Sequence, residues 1–240
     1  MNSLLIALVA PVLLLSACVP LRVEFVHPVL KQEGLKGKTV AVGEVVSVHW
    51  ENDPTPDDSA AIIRNCEQRL RQKRPQTSII NSSVLERAVG ELRSRPSSAV
   101  DLPRHVVSGT QAATAKSQNI DYILLIEVLY DRLENNVTQH EETETDEERD
   151  KDGNVIRECK RTSYVTTAHA TRRVGSRFHL LDTRTRETVW QAVSNHLHCN
   201  ENSVKSGSWF DGLMPAMPAP PPMSGVVVAS TTAAIRKLPK

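Results

Sequence analysis

Three groups of residues in this chain have types and spacings that could do chemistry. In His196-Leu197-His198-Cys199 the two imidazoles stand two positions apart. Alternate residues of a strand point to one side, so His196 and His198 could share a metal ion while Cys199 faces the other way. A third ligand would then have to come from His169 or His179. Glu148, Asp150, Asp152 and Gly153 follow the first half of a calcium loop, with Val155 at its hydrophobic position, but the closing bidentate carboxylate falls on Cys159, one residue after Glu158. The competing reading is a hairpin tip turned by Asp152-Gly153. Around it, Glu141, Glu142, Glu144, Asp146, Glu147 and Glu148 form a dense acidic run. Like charges in a row read as a flexible, self-repelling loop over 141–154, one that could collect divalent cations weakly or dock a basic protein surface.

Catalysis is not legible. No nucleophile elbow or other local signature of a Ser/His/Asp or Cys/His arrangement is present, so the expectation is a protein with no catalytic residues and no cofactor. Lys and Arg number 29 against 28 Asp and Glu, which removes the electrostatic case for nucleic acid. Aromatic residues are 4% of the chain, too few for a base-stacking or sugar-stacking platform.

The elements that must position these groups follow from periodicity. Thr39–Val48 is apolar on both faces and reads as an inner strand. After the turn-rich segment ending at Ser59, Ile62, Ile63, Cys66 and Leu70 repeat at helical spacing, and Pro75 follows. Thr77–Ile80 is a short strand. Ser83-Val84-Leu85-Glu86 has the form of a capping box and opens a helix stopped by Arg95-Pro96. A third helix, Thr110–Gln118, leads into Asp121–Tyr130, the most hydrophobic strand. A strand-like stretch Arg161–Leu181, a turn at 183–187 and a return strand Thr188–His198 make a meander. Pro215–Pro222 crosses to a terminal helix, Val226–Leu238. The fold class is therefore α/β: one domain, a mixed sheet with helices packed on it, and a C-terminal meander followed by a terminal helix.

The N-terminus adds a compartment. An apolar run of about 12 residues, Leu4–Leu15, is too short for the roughly 17 to 25 residues of a membrane-spanning helix. It ends in Leu15-Ser16-Ala17-Cys18, which resembles the bacterial lipobox. The resemblance implies a signal peptide over 1–17, a lipid on Cys18 as the only covalent group, and, with Val19 in place of Asp, sorting to the outer membrane. An ordinary cleaved secretory signal is the alternative. Two or three acyl chains anchor stably where one does not. Residues 18–37, with Pro20, Pro28, Gly34 and Gly37, read as a tether, and 38–240 as a periplasmic domain. Cys66 packs as a small hydrophobe on its helix. In an oxidising compartment Cys159 and Cys199 could then be bridged. If the strands pair about the turn at 183–187, however, Cys199 lies across from about Thr171, so the bridge requires the chain to turn back after His198.

The lipobox, the early Val-rich strand, the step into Asp121-Tyr122-Ile123-Leu124 and the hairpin Phe178-His179-Leu180-Leu181-Asp182-Thr183-Arg184-Thr185-Arg186-Glu187-Thr188-Val189-Trp190 resemble periplasmic lipoproteins related to the curli secretion component and the penicillin-binding-protein activator. Arg186 stands where that pattern commonly has Gly. The resemblance implies a fold like the N-terminal domain of TolB, no catalytic residues, and a binding or assembly role toward another envelope protein, reached through a membrane-anchored lipid. A secretion channel is the rival, and a metal-binding periplasmic protein another. A channel needs about 9 to 11 residues per strand of outward apolar alternation, whereas Asp131–Thr162 is mostly charged.

Overall fold

The computed structural model of the chain describes residues 20–48, 54–84, 119–207 and 214–240. Cys18 and the helix expected over Thr110–Gln118 lie outside these residues, as does all but the first turn, 82–84, of the helix opened by Ser83. Along the chain come β1 (Leu21–Val26), α1 (Pro28–Glu33), β2 (Thr39–Ser47), α2 (Pro56–Lys73), β3 (Ser78–Ile80), β4 (Tyr122–Arg149), β5 (Val155–Asp182), β6 (Thr188–Ser206) and α3 (Met223–Lys237). The strands form one mixed sheet in the order β1-β6-β5-β4-β2-β3. β2 runs parallel to both β3 and β4, and the other pairings are antiparallel. The molecule is a single α/β domain, as the periodicity indicates.

One face of the sheet, the helix face, carries Val40, Val42, Leu124, Ile126, Val128, Val174, Phe178, Leu180 and Trp190 against Ile62, Cys66 and Leu70 of α2 and Val226, Val227, Ala234 and Ile235 of α3. Burying a side chain such as Phe178 or Leu180 contributes about 1.5–3 kcal/mol. The far face holds a smaller cluster, Ala41, Ile120 and Ile123. Local chemistry sets the element ends. Thr55 caps α2, its Oγ1 accepting from Asp58 N at 3.1 Å, and Pro56 occupies the first helical position. The helix thus begins before Ser59, inside the segment that reads as a turn. The turn between β5 and β6 is tied by Asp182 Oδ1, which accepts from Arg184 N at 2.7 Å. Arg186 there adopts φ 65, the left-handed conformation that Gly tolerates better.

Two expectations are corrected by this architecture. Residues 18–37 are not a tether beyond Pro20: Leu21 and Val26 pack against the core, Leu30 and Leu35 are buried in it, and β1 is hydrogen-bonded to β6. Period-two alternation in Leu21-Arg22-Val23-Glu24-Phe25, between two prolines, was the available signal. Nor is 141–154 a loop. The backbone continues as β4 through Arg149 and turns only at 150–154. Cross-strand partners overcome the self-repulsion, with Arg161 opposite Glu144 and Arg157 opposite Glu148.

Candidate functional site

β4 and β5 outgrow the body of the sheet. β2 leaves β4 at Val128, and β1 leaves β6 at Ser194. Beyond them β4, β5 and β6 run on as a three-stranded arm to Tyr164 opposite Ser206, then as a two-stranded hairpin to Arg149 opposite Val155. Gly175 at the root and Val155 near the tip are 20 positions apart on β5. At ~3.3 Å per residue the arm is about 65 Å long, or less where it twists.

The root is built by a bulge and a close approach. The β4–β5 register shifts between Val128 and Tyr130, and Tyr130 then stands opposite Gly175. A Cβ on Gly175 would lie 2.4 Å from Tyr130 Cε1, so the ring fits only over a glycine. The Arg132 guanidinium sits 5.5 Å from the ring centroid. On the helix face a proline strap braces β5 and β6. Pro215 and Pro221 are buried and Pro218 half-buried, the three-residue period of a polyproline II helix. Such a segment has no internal hydrogen bonds, and its carbonyls find donors on the strands beneath: Asn202 Nδ2 to Ala216 O (2.9 Å), Asn200 Nδ2 to Ala219 O (2.8 Å) and Arg172 Nη1 to Pro221 O (2.7 Å). Arg172 also pairs with Asp131 at 3.1 Å. Burial raises the Asp131 carboxyl above its ordinary range, against the pull of Arg172.

Strand geometry divides the acidic residues. Glu142, Glu144, Asp146 and Glu148 project to the far face, whereas Glu141 and Glu147 project to the helix face. The six therefore form no single acidic surface. Far-face cations are interleaved with them: Lys205 of β6 reaches Glu142 at 3.3 Å and Glu144 at 2.5 Å. Those bonds hold the Glu142 carboxyl below and the Lys205 ammonium above their ordinary ranges. On the helix face Glu147 stands opposite Glu158, and Arg149 pairs with Glu147. Neither face of the arm is apolar. One reads Leu133, Asn135, Val137, Gln139, Glu141, Thr143, Thr145 and Glu147, the other Glu134, Asn136, Thr138, His140 and the four far-face acids.

At the tip, Asp150 is used up by the turn. Its Oδ1 accepts from Asp152 N (2.9 Å) and Asn154 N (2.8 Å), and Asn154 Nδ2 donates to Oδ2 at 3.2 Å. The Asn154 amide leads the bonds that lower its pKa. Gly153 supplies the positive φ, 87. This is the hairpin-tip geometry, not a set of oxygens turned toward a calcium ion.

The histidines do not converge either. His196, opposite Val174, and His198, opposite Arg172, lie on the helix face, while His169 and His179 lie on the far face. His196 is buried, which lowers its pKa, with His198 adding to the shift. Among the described residues no group of three His, Cys, Asp or Glu could hold a metal ion. Cys199 is opposite Thr171, as the turn arithmetic requires, but β6 runs on instead of turning back. Cys159 is opposite Asp146, 12 positions before Thr171 on β5 and toward the tip of the arm, about 40 Å at ~3.3 Å per residue. The Cys159–Cys199 bridge is excluded by that separation, and both thiols are free and exposed. Cys66 is buried and free, its thiol pushed up by desolvation.

Two clusters escape sequence reasoning, because they depend on register. Buried Glu127 meets Arg177 Nη1 at 3.0 Å and His179 Nε2 at 3.6 Å on the far face of the body. On the arm, His169 Nδ1 lies 3.8 Å from Cys199 Sγ and 3.7 Å from Glu201, with its Nε2 2.9 Å from Thr138 Oγ1. Once Cys199 is set opposite Thr171, the second cluster is readable: Glu201 must then face His169.

No family model matches the chain, and no curated protein does. Solved structures do resemble it. A PelC dodecamer from Paraburkholderia phytofirmans is similar at 16% identity over 92% of this chain and 97% of that one, with a TM-score of 0.38. The lipoprotein GNA1162 from Neisseria meningitidis is similar at 14% identity over 82% and 97% with a TM-score of 0.32, and the LpoB C-terminal domain from Escherichia coli at 12% over 67% and 83% with 0.37. At these values the likenesses carry no functional inference.

Proposed function

We propose that this is a lipid-anchored protein of the bacterial cell envelope that acts without catalysis, by holding another envelope protein on its arm. The observation that carries the reading is the arm itself. Its strands extend far past the sheet that buries the core, contribute little to that core, and offer side chains of both signs and two open edges among the described residues. A structure of that length costs ordering entropy in every residue, which a binding surface would offset on engagement. The anchor on Cys18 would raise the effective concentration at the membrane, and Val19 after it fits the outer membrane. The secretion-channel alternative gains strand length from the structure, since each arm strand exceeds the roughly 9–11 residues a membrane strand needs. It still lacks the lipid-facing apolar band, because both faces of the hairpin are polar.

The test replaces residues 142–163 with Asn-Gly between the opposed Glu141 and Tyr164, a sequence suited to a two-residue hairpin turn. The shortened protein should keep its cooperative thermal transition and its membrane association, and lose the partner captured by crosslinking in intact envelopes. Retention of that partner would contradict the proposal.

A further inference from the structure

We propose that the domain is seated edge-on upon the bilayer through β1, with the arm running along the membrane surface. The inference rests on Cys18 carrying the lipid. Pro20 O already accepts from Asn195 N at 3.4 Å and Leu21 is paired with Ser194, so Val19 alone separates Cys18 from the folded sheet. Two peptide steps span at most about 7 Å. A lipid held that close brings the sheet edge beside it to the headgroups. That edge exposes apolar side chains on both faces of the sheet, Val23 at 37% and Phe25 at 43%, with Val29 at the start of α1 at 47%, interleaved with exposed Arg22 and with Glu24, which accepts from Gln191 Nε2 at 2.6 Å. The apolar side chains of such a mixed edge, held next to an acyl anchor, lower their free energy by entering the headgroup and acyl boundary, while Arg22 keeps its guanidinium at headgroup level.

The sheet order then fixes the orientation. β1 is the outermost strand on this side, and β6, β5 and β4 follow at about 4.8 Å intervals. With β1 on the bilayer, all strands lie parallel to its surface, β6 becomes the lower edge of the arm, and acidic β4 is the arm strand farthest from anionic headgroups. The reverse course of β1 also runs toward the arm, because β1 is antiparallel to β6 and its first residue sits at the arm end of the pairing. Anchor and arm leave the body on the same side.

Full-length lipidated protein in phosphatidylethanolamine and phosphatidylglycerol vesicles tests this. Cys159 and Cys199 are replaced by Ser, buried Cys66 is kept, and one fluorophore is attached through Glu24→Cys on β1 or Ser78→Cys on β3, the opposite edge. Headgroup-nitroxide lipids should quench the label at 24 strongly and that at 78 little, and the double change Val23→Ser with Phe25→Ser should remove the difference while the protein still co-floats with vesicles. Equal quenching at the two positions, or a label at 24 shielded without quenching because a second copy or a protein covers it, overturns the seating. Failure of the wild-type protein to co-float, compared with Cys18→Ala, would instead overturn the lipid anchor on which the seating depends.

Discussion

Tyr130 and Gly175 face each other across the root of the arm, the ring occupying the space that any side chain at 175 would need. The pairing stands at the bulge where β4 passes from the body into the arm, so it joins the packed sheet to the part that projects. Gly175→Val should displace the ring and cost about 1–3 kcal/mol, the range for overpacking. In a double-mutant cycle with Tyr130→Ala the two effects should be less than additive, since the second change relieves the clash introduced by the first. Thermal unfolding of the four proteins measures it.

The thiols separate by burial. Alkylation of the native protein should label Cys159 and Cys199 and spare Cys66 until the chain unfolds, and a reductant should leave the melting temperature unchanged. A melting temperature that falls on reduction would show a bridge that the strand register forbids within one chain.

Much of the body was legible in the sequence for simple reasons. β2, the first part of β4, α2 and α3 each bury a periodic apolar face, and the hairpin turn fixed Cys199 opposite Thr171. The arm was not legible, because runs such as Glu141–Glu148 read as repulsive until their partners are known, and Arg161, Arg157 and Lys205 are distant in sequence. The Thr-rich character of Thr143, Thr145, Thr162, Thr166 and Thr167 was the β signal that the charge obscured. The split of the six acids between faces follows directly from the strand period, once the segment is known to be a strand.

His196 makes stability depend on pH. Its folded pKa lies below the ordinary value near 6.5 because the ring is buried. Between the two values the unfolded chain binds more protons than the native one, so stability rises with pH through that window and falls as pH drops from about 6.5. The melting temperature should decline less from pH 7 to pH 5.5 in His196→Gln than in wild type. An equal decline would mean that His196 protonates in the fold as readily as in the unfolded chain.

Arg186 bears a left-handed backbone that a Cβ disfavours by roughly 1–2 kcal/mol. Arg186→Gly should therefore stabilise the β5–β6 turn, by about 0.5–1 kcal/mol after the greater chain entropy of Gly in the unfolded state is counted. An increased denaturant midpoint at unchanged slope is the expected result.

The central claim is that the arm is the binding surface. A photo-crosslinking amino acid at Glu144 or Glu148 on the arm, or at Arg69 on α2 as the control, reads it out in intact cells. One discrete high-mass adduct is expected from the arm positions and none from Arg69. Absence of an adduct from both arm positions, or the same adduct from Arg69, would contradict it.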